Sequence, residues 1–237
     1  MANHHLSGIL WDLDGVLVDT GQFHYQSWMD TMPRYGIPFD WDTFLKTFGM
    51  NNAGILTLLL GKQPEPALIQ EISDLKELNF RNAIKGRAKL LPGVQVYLDY
   101  FHREGIPQAV ASSAPLANIT FLIDELGIAA YFAAAVSAFE LPGKPSKPDP
   151  GVFLEAARQI DASPVDCLVV EDALVGIQAA RNAGMKCLAV ATTHPADHLE
   201  GADMVLENLT QLPPARLIDC LFNSPGRSAY TPPQDSV

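Results

Sequence analysis

The chain has 237 residues, enough to bury a sizeable core as one large domain or two modest ones. It is 48% hydrophobic and 18% charged, and its formal net charge of −11 argues against nucleic acid or an anionic membrane as its main partner. An anionic substrate would need a local basic group or a metal ion to overcome that field.

Three cysteines, Cys167, Cys187 and Cys220, are too few and too unpatterned for a disulfide framework or a metal knuckle. Cys167 and Cys187 sit in apolar runs and read as buried small hydrophobes. There is no basic-then-apolar signal segment at the start and no run as long as a membrane span, so the expected compartment is the cytoplasm.

His4 and His5 read as exposed residues ahead of the first element. Gly8 to Trp11 is a short apolar run of the kind that forms a fully buried strand. It ends in Asp12 and Asp14, with Gly15 supplying a turn, and carboxylates at the end of a buried strand are costly unless paired or bound to a cation. From residue 20 to 88 the chain reads as all-helical: Phe23, Trp28 and Met29 lie among polar residues, and Leu45 to Phe48, Ile55 to Leu60 and Leu68 through Ile84 carry apolar spacings near 3.6. Gly36, Gly49 and Gly61 punctuate these segments, and Leu91-Pro92-Gly93 ends them.

Beyond Gly93 helices and strands alternate. Helices are expected at Val94 to Arg103, Leu116 to Leu126, Val152 to Ile160 and Ala173 to Ala183. Strands are expected at Gln108 to Ala111, Phe132 to Ala138, Cys167 to Val170, Lys186 to Val190 and Asp203 to Leu206. This rhythm predicts an α/β fold: a Rossmann-like open parallel sheet with helices on both faces, plus an inserted all-helical cap. The expected partition is a core from residues 1–19 and 89–222, a cap from 20–88, and a Pro-, Ser- and Gly-rich tail, 223–237, that frays.

In an open parallel sheet, ligands bind at the carboxyl ends of the strands near a topological switch. The polar residues that terminate four βα units there are Asp12 and Asp14, Ser112, the loop carrying Lys144 and Lys147, and Glu171-Asp172. Each alone reads as a turn, a cap or a loop residue. Their order, however, resembles the four motifs of the haloacid dehalogenase-like superfamily across residues 6–212. Asp12-x-Asp14-Gly15 is similar to the first, Ser112 to the second, Lys147 in Ser146-Lys147-Pro148-Asp149-Pro150 to the third, and Glu171-Asp172-Ala173-x-x-Gly176 to the fourth. Lys147 is preferred to Lys144 because Pro148-Asp149-Pro150 leads directly into the following helix; Lys144 remains the alternative.

The resemblance implies a mechanism. Asp12 would attack phosphorus and form an aspartyl-phosphate, and Asp14 would serve as general acid and then base. Ser112 and Lys147 would hold phosphoryl oxygens. A Mg2+ ion would sit on Asp12, Asp172, Glu171 and the backbone carbonyl of Asp14. The second Asp of the first motif separates phosphoryl-transfer branches from the dehalogenases, so dehalogenation is not expected.

The helical insertion resembles the cap of the β-phosphoglucomutase-like subfamily, with Thr20, His24 and Lys76 at positions that couple closure to proton transfer and contact substrate. Two departures count against a mutase: Asn52 stands near the position of a cap arginine, and Ala114-Pro115-Leu116 replaces a Lys-Asn pair after Ser112. Both remove groups that a second phosphate would want. The expected function is a Mg-dependent phosphatase acting on a small phosphate ester, a sugar phosphate foremost. A β-phosphoglucomutase-type mutase is the alternative, and a non-catalytic binding protein on the same scaffold the distant one. Asn51 joins Asn52, Lys76 and His24 as a cap candidate for substrate contact.

Overall fold

A computed structural model describes residues 5–143 and 146–223. Six parallel strands, β1 (Gly8–Trp11), β2 (Gln108–Ser112), β3 (Ala134–Ser137), β4 (Cys167–Glu171), β5 (Lys186–Val190) and β6 (Met204–Leu206), form one sheet in the order β3-β2-β1-β4-β5-β6. The order reverses between β1 and β4, and the crevice outside their carboxyl ends is where such sheets bind ligands. Register places Trp11 opposite both Val110 and Val170, so the residues just past β1 lie beside the ends of β2 and β4.

The strands read as continuous apolar runs because both faces are covered. On one face Ile9, Trp11, Val110, Leu168 and Val170 pack against α5 (Val94–Arg103) and α6 (Leu116–Glu125) through Tyr97, Phe101, Ile119 and Leu122. On the other, Leu10, Ala109, Ala111, Val169 and Cys187 meet α7 (Gly151–Gln159) and α8 (Leu174–Asn182). Cys167 and Cys187 are buried, as their apolar runs predict. Gln108 is buried within the sheet, yet its side chain accepts from Trp11 Nε1 at 3.0 Å and donates to the Leu98 carbonyl at 3.1 Å.

Between β1 and α5 lie four further α-helices: α1 (Gly21–Thr31), α2 (Trp41–Thr47), α3 (Asn52–Leu60) and α4 (Pro66–Ile84). They share an apolar cluster of Trp28, Met32, Ile37, Phe44, Phe48, Ile55, Leu56 and Ile72. Phe80 and Ile84, at the far end of α4, join the cluster under the sheet instead, which ties the helical layer to the strands. Asp40 caps α2 by accepting from Thr43 N at 2.8 Å, so that helix begins four residues before the apolar run Leu45 to Phe48. Asn51 caps α3 in the same way, its Oδ1 accepting from Gly54 N at 2.8 Å. The strand expected over Phe132 to Ala138 is the shorter β3, because residues 129–131 close a single 3-10 turn before it.

Among the described residues no helix is long and apolar enough to cross a membrane. Lys144 and residues 224–237 lie outside the described residues.

Candidate active site

The chain leaves β1 into a tight turn at Asp12-Leu13-Asp14-Gly15, and Asp12 N donates to the Val170 carbonyl at 3.0 Å. Gly15 has φ of 80°, and a Cβ there would meet the Asp172 carboxylate, so neither the turn nor the space admits a side chain. Asp12 is thereby pinned beside Glu171 and Asp172 at the end of β4. The three carboxylates offer oxygens that all lie within 4.8 Å of one another, and all three residues are buried.

One cation partly offsets this charge. Lys147 Nζ donates to Asp12 Oδ1 at 2.6 Å and to Glu171 Oε1 at 2.5 Å, with 4% of its surface exposed. Burial opposes the ammonium, but the two carboxylates outweigh it and hold Lys147 protonated well above the ordinary lysine range. Three carboxylates against one lysine leave an excess of negative charge. Burial, opposed by Lys147 and reinforced by Glu171 and Asp14, pushes Asp12 up to about 7. Asp172 is pushed well above its usual value by burial, Glu171 and Asp12. Such a cluster is short of positive charge and built only of hard oxygen donors, and it fits a small divalent cation.

Second contacts fix the acidic residues. Glu171 Oε2 accepts from the backbone N–H of Asp172 at 3.0 Å and of Ala173 at 3.2 Å. Thr193, on the loop after β5, donates its hydroxyl to Asp172 Oδ2. A Cβ at Gly176 on α8 would overlap the Glu171 carboxylate, so the fourth motif's glycine makes room for that side chain.

Asp14 turns the other way, towards the helical layer. Its Oδ1 meets His24 Nε2 at 2.9 Å, and His24 Nδ1 meets Lys76 Nζ at 2.8 Å. An ammonium only donates, so Nδ1 must accept and Nε2 must carry the proton that faces Asp14. Burial raises the Asp14 carboxyl, but His24 and Lys76 outweigh it and hold the group below its ordinary value. The ring of His24 lies flat on Phe80, 3.9 Å between centroids, which fixes its orientation.

These placements follow from helical spacing. Buried residues of α1 are His24, Ser27, Trp28 and Thr31, one stripe at i, i+3, i+4 and i+7. Those of α4 are Ile72, Ser73, Lys76, Glu77, Phe80 and Ile84, so Lys76 and Glu77 occupy positions where packing alone would place apolar side chains. Thr20 Oγ1, just before α1, is buried without a hydrogen-bond partner among the described residues.

A cleft of about 60 Å3 opens over Asp12 and Asp14, walled by His24, Asn52, Lys76, Ser112 and the start of α6. Ser112 Oγ accepts from Ala114 N at 3.1 Å, which orients it at the end of β2. The structure thus brings Asp12, Asp14, Ser112, Lys147, Glu171 and Asp172 to one strand edge, and adds His24, Asn52 and Lys76 from the facing helices.

Three residues escaped the sequence reading. Ser113 lines the cleft and has a buried hydroxyl with no partner among the described residues; the Ser112-Ser113 pair held that signal. Glu77 also lines the cleft, and Thr193 holds Asp172. Neither carries a local signature, since a glutamate after a lysine and a threonine in a loop are common on any surface.

A family model described as haloacid dehalogenase-like hydrolase matches residues 6–184. The chain is 32% identical over 214 residues to a beta-phosphoglucomutase of Bacillus subtilis, covering 87% of this chain and 92% of that one. It is 30% identical over 184 residues to a fructose-1-phosphate phosphatase of Escherichia coli, covering 78% and 96%. The fold is also that of a solved beta-phosphoglucomutase from Clostridium difficile, with a TM-score of 0.83 at 24% identity over 92% of this chain and 97% of that one. The chain therefore belongs to the haloacid dehalogenase-like hydrolases and is an enzyme with hydrolase or mutase activity.

Proposed function

We propose that the enzyme is a Mg2+-dependent phosphatase of small phosphate esters, sugar phosphates foremost, working through an aspartyl-phosphate on Asp12. The observation that carries this reading is the division of labour between two aspartates in one turn. Asp12 faces the metal-fit cluster and Lys147, while Asp14 faces His24, whose other ring nitrogen is held by Lys76.

Asp12 Oδ attacks phosphorus and the ester oxygen leaves with a proton from Asp14. Water then attacks the aspartyl-phosphate, gives its proton to Asp14, and releases inorganic phosphate and free Asp12. The Asp14 carboxyl as it stands is ionised, the form that serves the second step. For the first step the line of donors from Lys76 Nζ through His24 to Asp14 supplies the proton: His24 passes its Nε2 proton on and takes one from Lys76 at Nδ1. Lys147 and the Ser112 hydroxyl hold the phosphoryl oxygens. Asp12, Glu171, Asp172 and the Asp14 carbonyl are the groups to hold the ion, whose charge offsets the repulsion between carboxylate and phosphate.

Helices 21–84 serve in this reading as a cap over a core made by the remaining described residues. A cleft of about 60 Å3 has room for a few waters, so a phosphorylated metabolite enters only when the helical layer swings off and the site closes over it. The mutase alternative is disfavoured by Asn52, which hydrogen-bonds Glu77 where an added cation would be needed.

The test is 31P NMR of the protein with Mg2+ and a panel of hexose phosphates that includes β-glucose 1-phosphate, primed with a trace of glucose 1,6-bisphosphate. Growth of inorganic phosphate, abolished by EDTA and by Asp12→Asn, is the expected result. Accumulation of glucose 6-phosphate with little free phosphate would instead establish the mutase.

A further inference from the structure

The helical wall of the cleft carries a buried carboxylate that the phosphoryl-transfer chemistry does not use. Glu77 Oε1 accepts from Lys76 Nζ at 2.9 Å and from Asn52 Nδ2 at 2.8 Å, and Oε2 accepts from Asn118 Nδ2 at 2.6 Å. Asn118 Oδ1 in turn accepts from Arg81 Nη1 at 2.6 Å. Asn52, Lys76, Glu77 and Asn118 are all buried, and the other buried Asp, Glu and Lys side chains among the described residues lie at the strand edge.

The charge balance of this wall is decisive. Among the described residues that line the cleft, Lys76 is the one lysine or arginine, and it is already committed to His24 and Glu77. Arg81 lies outside the cleft lining, one of its donors holding the Asn118 amide. Burial would neutralise Glu77, but Lys76, His24 and the Asn52 amide hold it ionised, below the ordinary glutamate range. A second phosphate brought to this wall would leave water, meet a carboxylate, and find no uncommitted cation among the described residues of the wall. A hydroxyl meets the opposite situation. Three donors occupy three of the carboxylate's roughly four acceptor positions, so one is left to accept an O–H.

We propose that Glu77 is a specificity-determining residue, restricting the enzyme to phosphate monoesters whose far end is uncharged and hydroxyl-bearing and turning away bisphosphates. This rests on the phosphatase reading above and adds to it the charge of the substrate's far end. The discrimination is by exclusion, an unfavourable contact built against one class of ligand rather than a better fit to the other.

Matched esters test it. The full-length Asp12→Asn protein in Mg2+ is titrated calorimetrically with fructose 1-phosphate against fructose 1,6-bisphosphate, and with glucose 1-phosphate against glucose 1,6-bisphosphate. The expected result is a monoester bound about tenfold or more tightly than its bisphosphate in at least one pair, with the bisphosphate favoured in neither. Adding Glu77→Gln, which keeps the shape and removes the charge, should shrink that ratio about tenfold. Should that variant not fold, Asn52→Arg, which sets a cation against the carboxylate, should move the ratio in the same direction. Bisphosphates bound as tightly as their monoesters in both pairs, a bisphosphate favoured in either pair, a ratio indifferent to the substitution that folds, or no binding of any of the four overturns the proposal. Phosphate release from acetyl phosphate, which has no far end, is followed in parallel with the unsubstituted enzyme. Release there alongside a failed titration removes only the role of Glu77, whereas its absence removes the phosphatase reading itself.

Discussion

Lys76 has two partners with different consequences, and substitution separates them. It sets the tautomer of His24, which bears on proton transfer, and it neutralises Glu77, which bears on stability. Lys76→Met keeps the stem that packs near Trp28 and Phe80 but leaves Glu77 ionised and without a cation. Removing one partner of a buried pair costs about 3–5 kcal/mol, because the survivor stays desolvated. Urea denaturation should therefore show Lys76→Met destabilised by about that amount. The double variant Lys76→Met/Glu77→Gln should recover most of the loss, since the amide carries no charge and still accepts from Asn52. Turnover should not recover with it. His24 has lost its proton source in both variants, and kcat should stay about 100-fold or more below that of the unsubstituted enzyme. A double variant that regained full turnover would remove Lys76 from the proton line.

At the scale of elements, the site depends on how closely α8 approaches the end of β4. Gly176 lies in the first turn of α8, and a methyl group there would occupy the space of the Glu171 carboxylate. Glu171 cannot yield freely, being held by Lys147 and by two backbone N–H groups. Gly176→Ala should therefore cost about 1–3 kcal/mol of stability, the usual penalty for overpacking, even though alanine favours a helix. It should also weaken Mg2+ binding by about 10-fold or more through displacement of a ligand, read by calorimetric titration with the metal. A variant as stable as the parent and binding Mg2+ equally well would show that Glu171 is free to relocate. The same elements show which features a sequence discloses. The strand ends carrying Asp12, Ser112 and Glu171-Asp172 were legible through their joint order, which resembles the family's motifs, since each alone reads as a turn or a cap. The helix start at Asp40 was written in Asp40-x-x-Thr43 and passed over in favour of the apolar spacing that follows it. Glu77 could not be read at all, for beside Lys76 on a long helix it looks like half of a solvated pair. Only the packing of α4 against its neighbours buries both.

For the whole molecule, the acidic cluster is a cost that the fold carries until a cation arrives, and pH reveals it. Burial and neighbouring charge raise Asp12 from its ordinary value of 3.8 to about 7, and raise Asp172 as well. The folded chain then holds protons that the unfolded chain has already released. The stability these groups contribute is complete below the unfolded value and is lost as pH climbs through the folded one. Without metal, the melting temperature should fall between about pH 5 and pH 8 on account of these residues. A divalent cation competes for the same oxygens. At about pH 8, Mg2+ at roughly 100 times its dissociation constant should stabilise the protein by about 2.7 kcal/mol. That corresponds to about 5–10 °C in melting temperature for a chain of this size. At about pH 5 the ion must first displace the Asp12 proton, about two pH units below that group's folded value, at about 1.4 kcal/mol per unit. This cancels the gain, so Mg2+ should scarcely shift the melting temperature there. Calorimetric melts with and without Mg2+ at the two pH values check this directly. Asp172→Asn, which removes one carboxylate from the cluster, should raise the metal-free melting temperature at about pH 8 while abolishing the response to Mg2+. Equal Mg2+ shifts at both pH values would mean that the ion binds elsewhere and that the three carboxylates are stabilised by Lys147 alone.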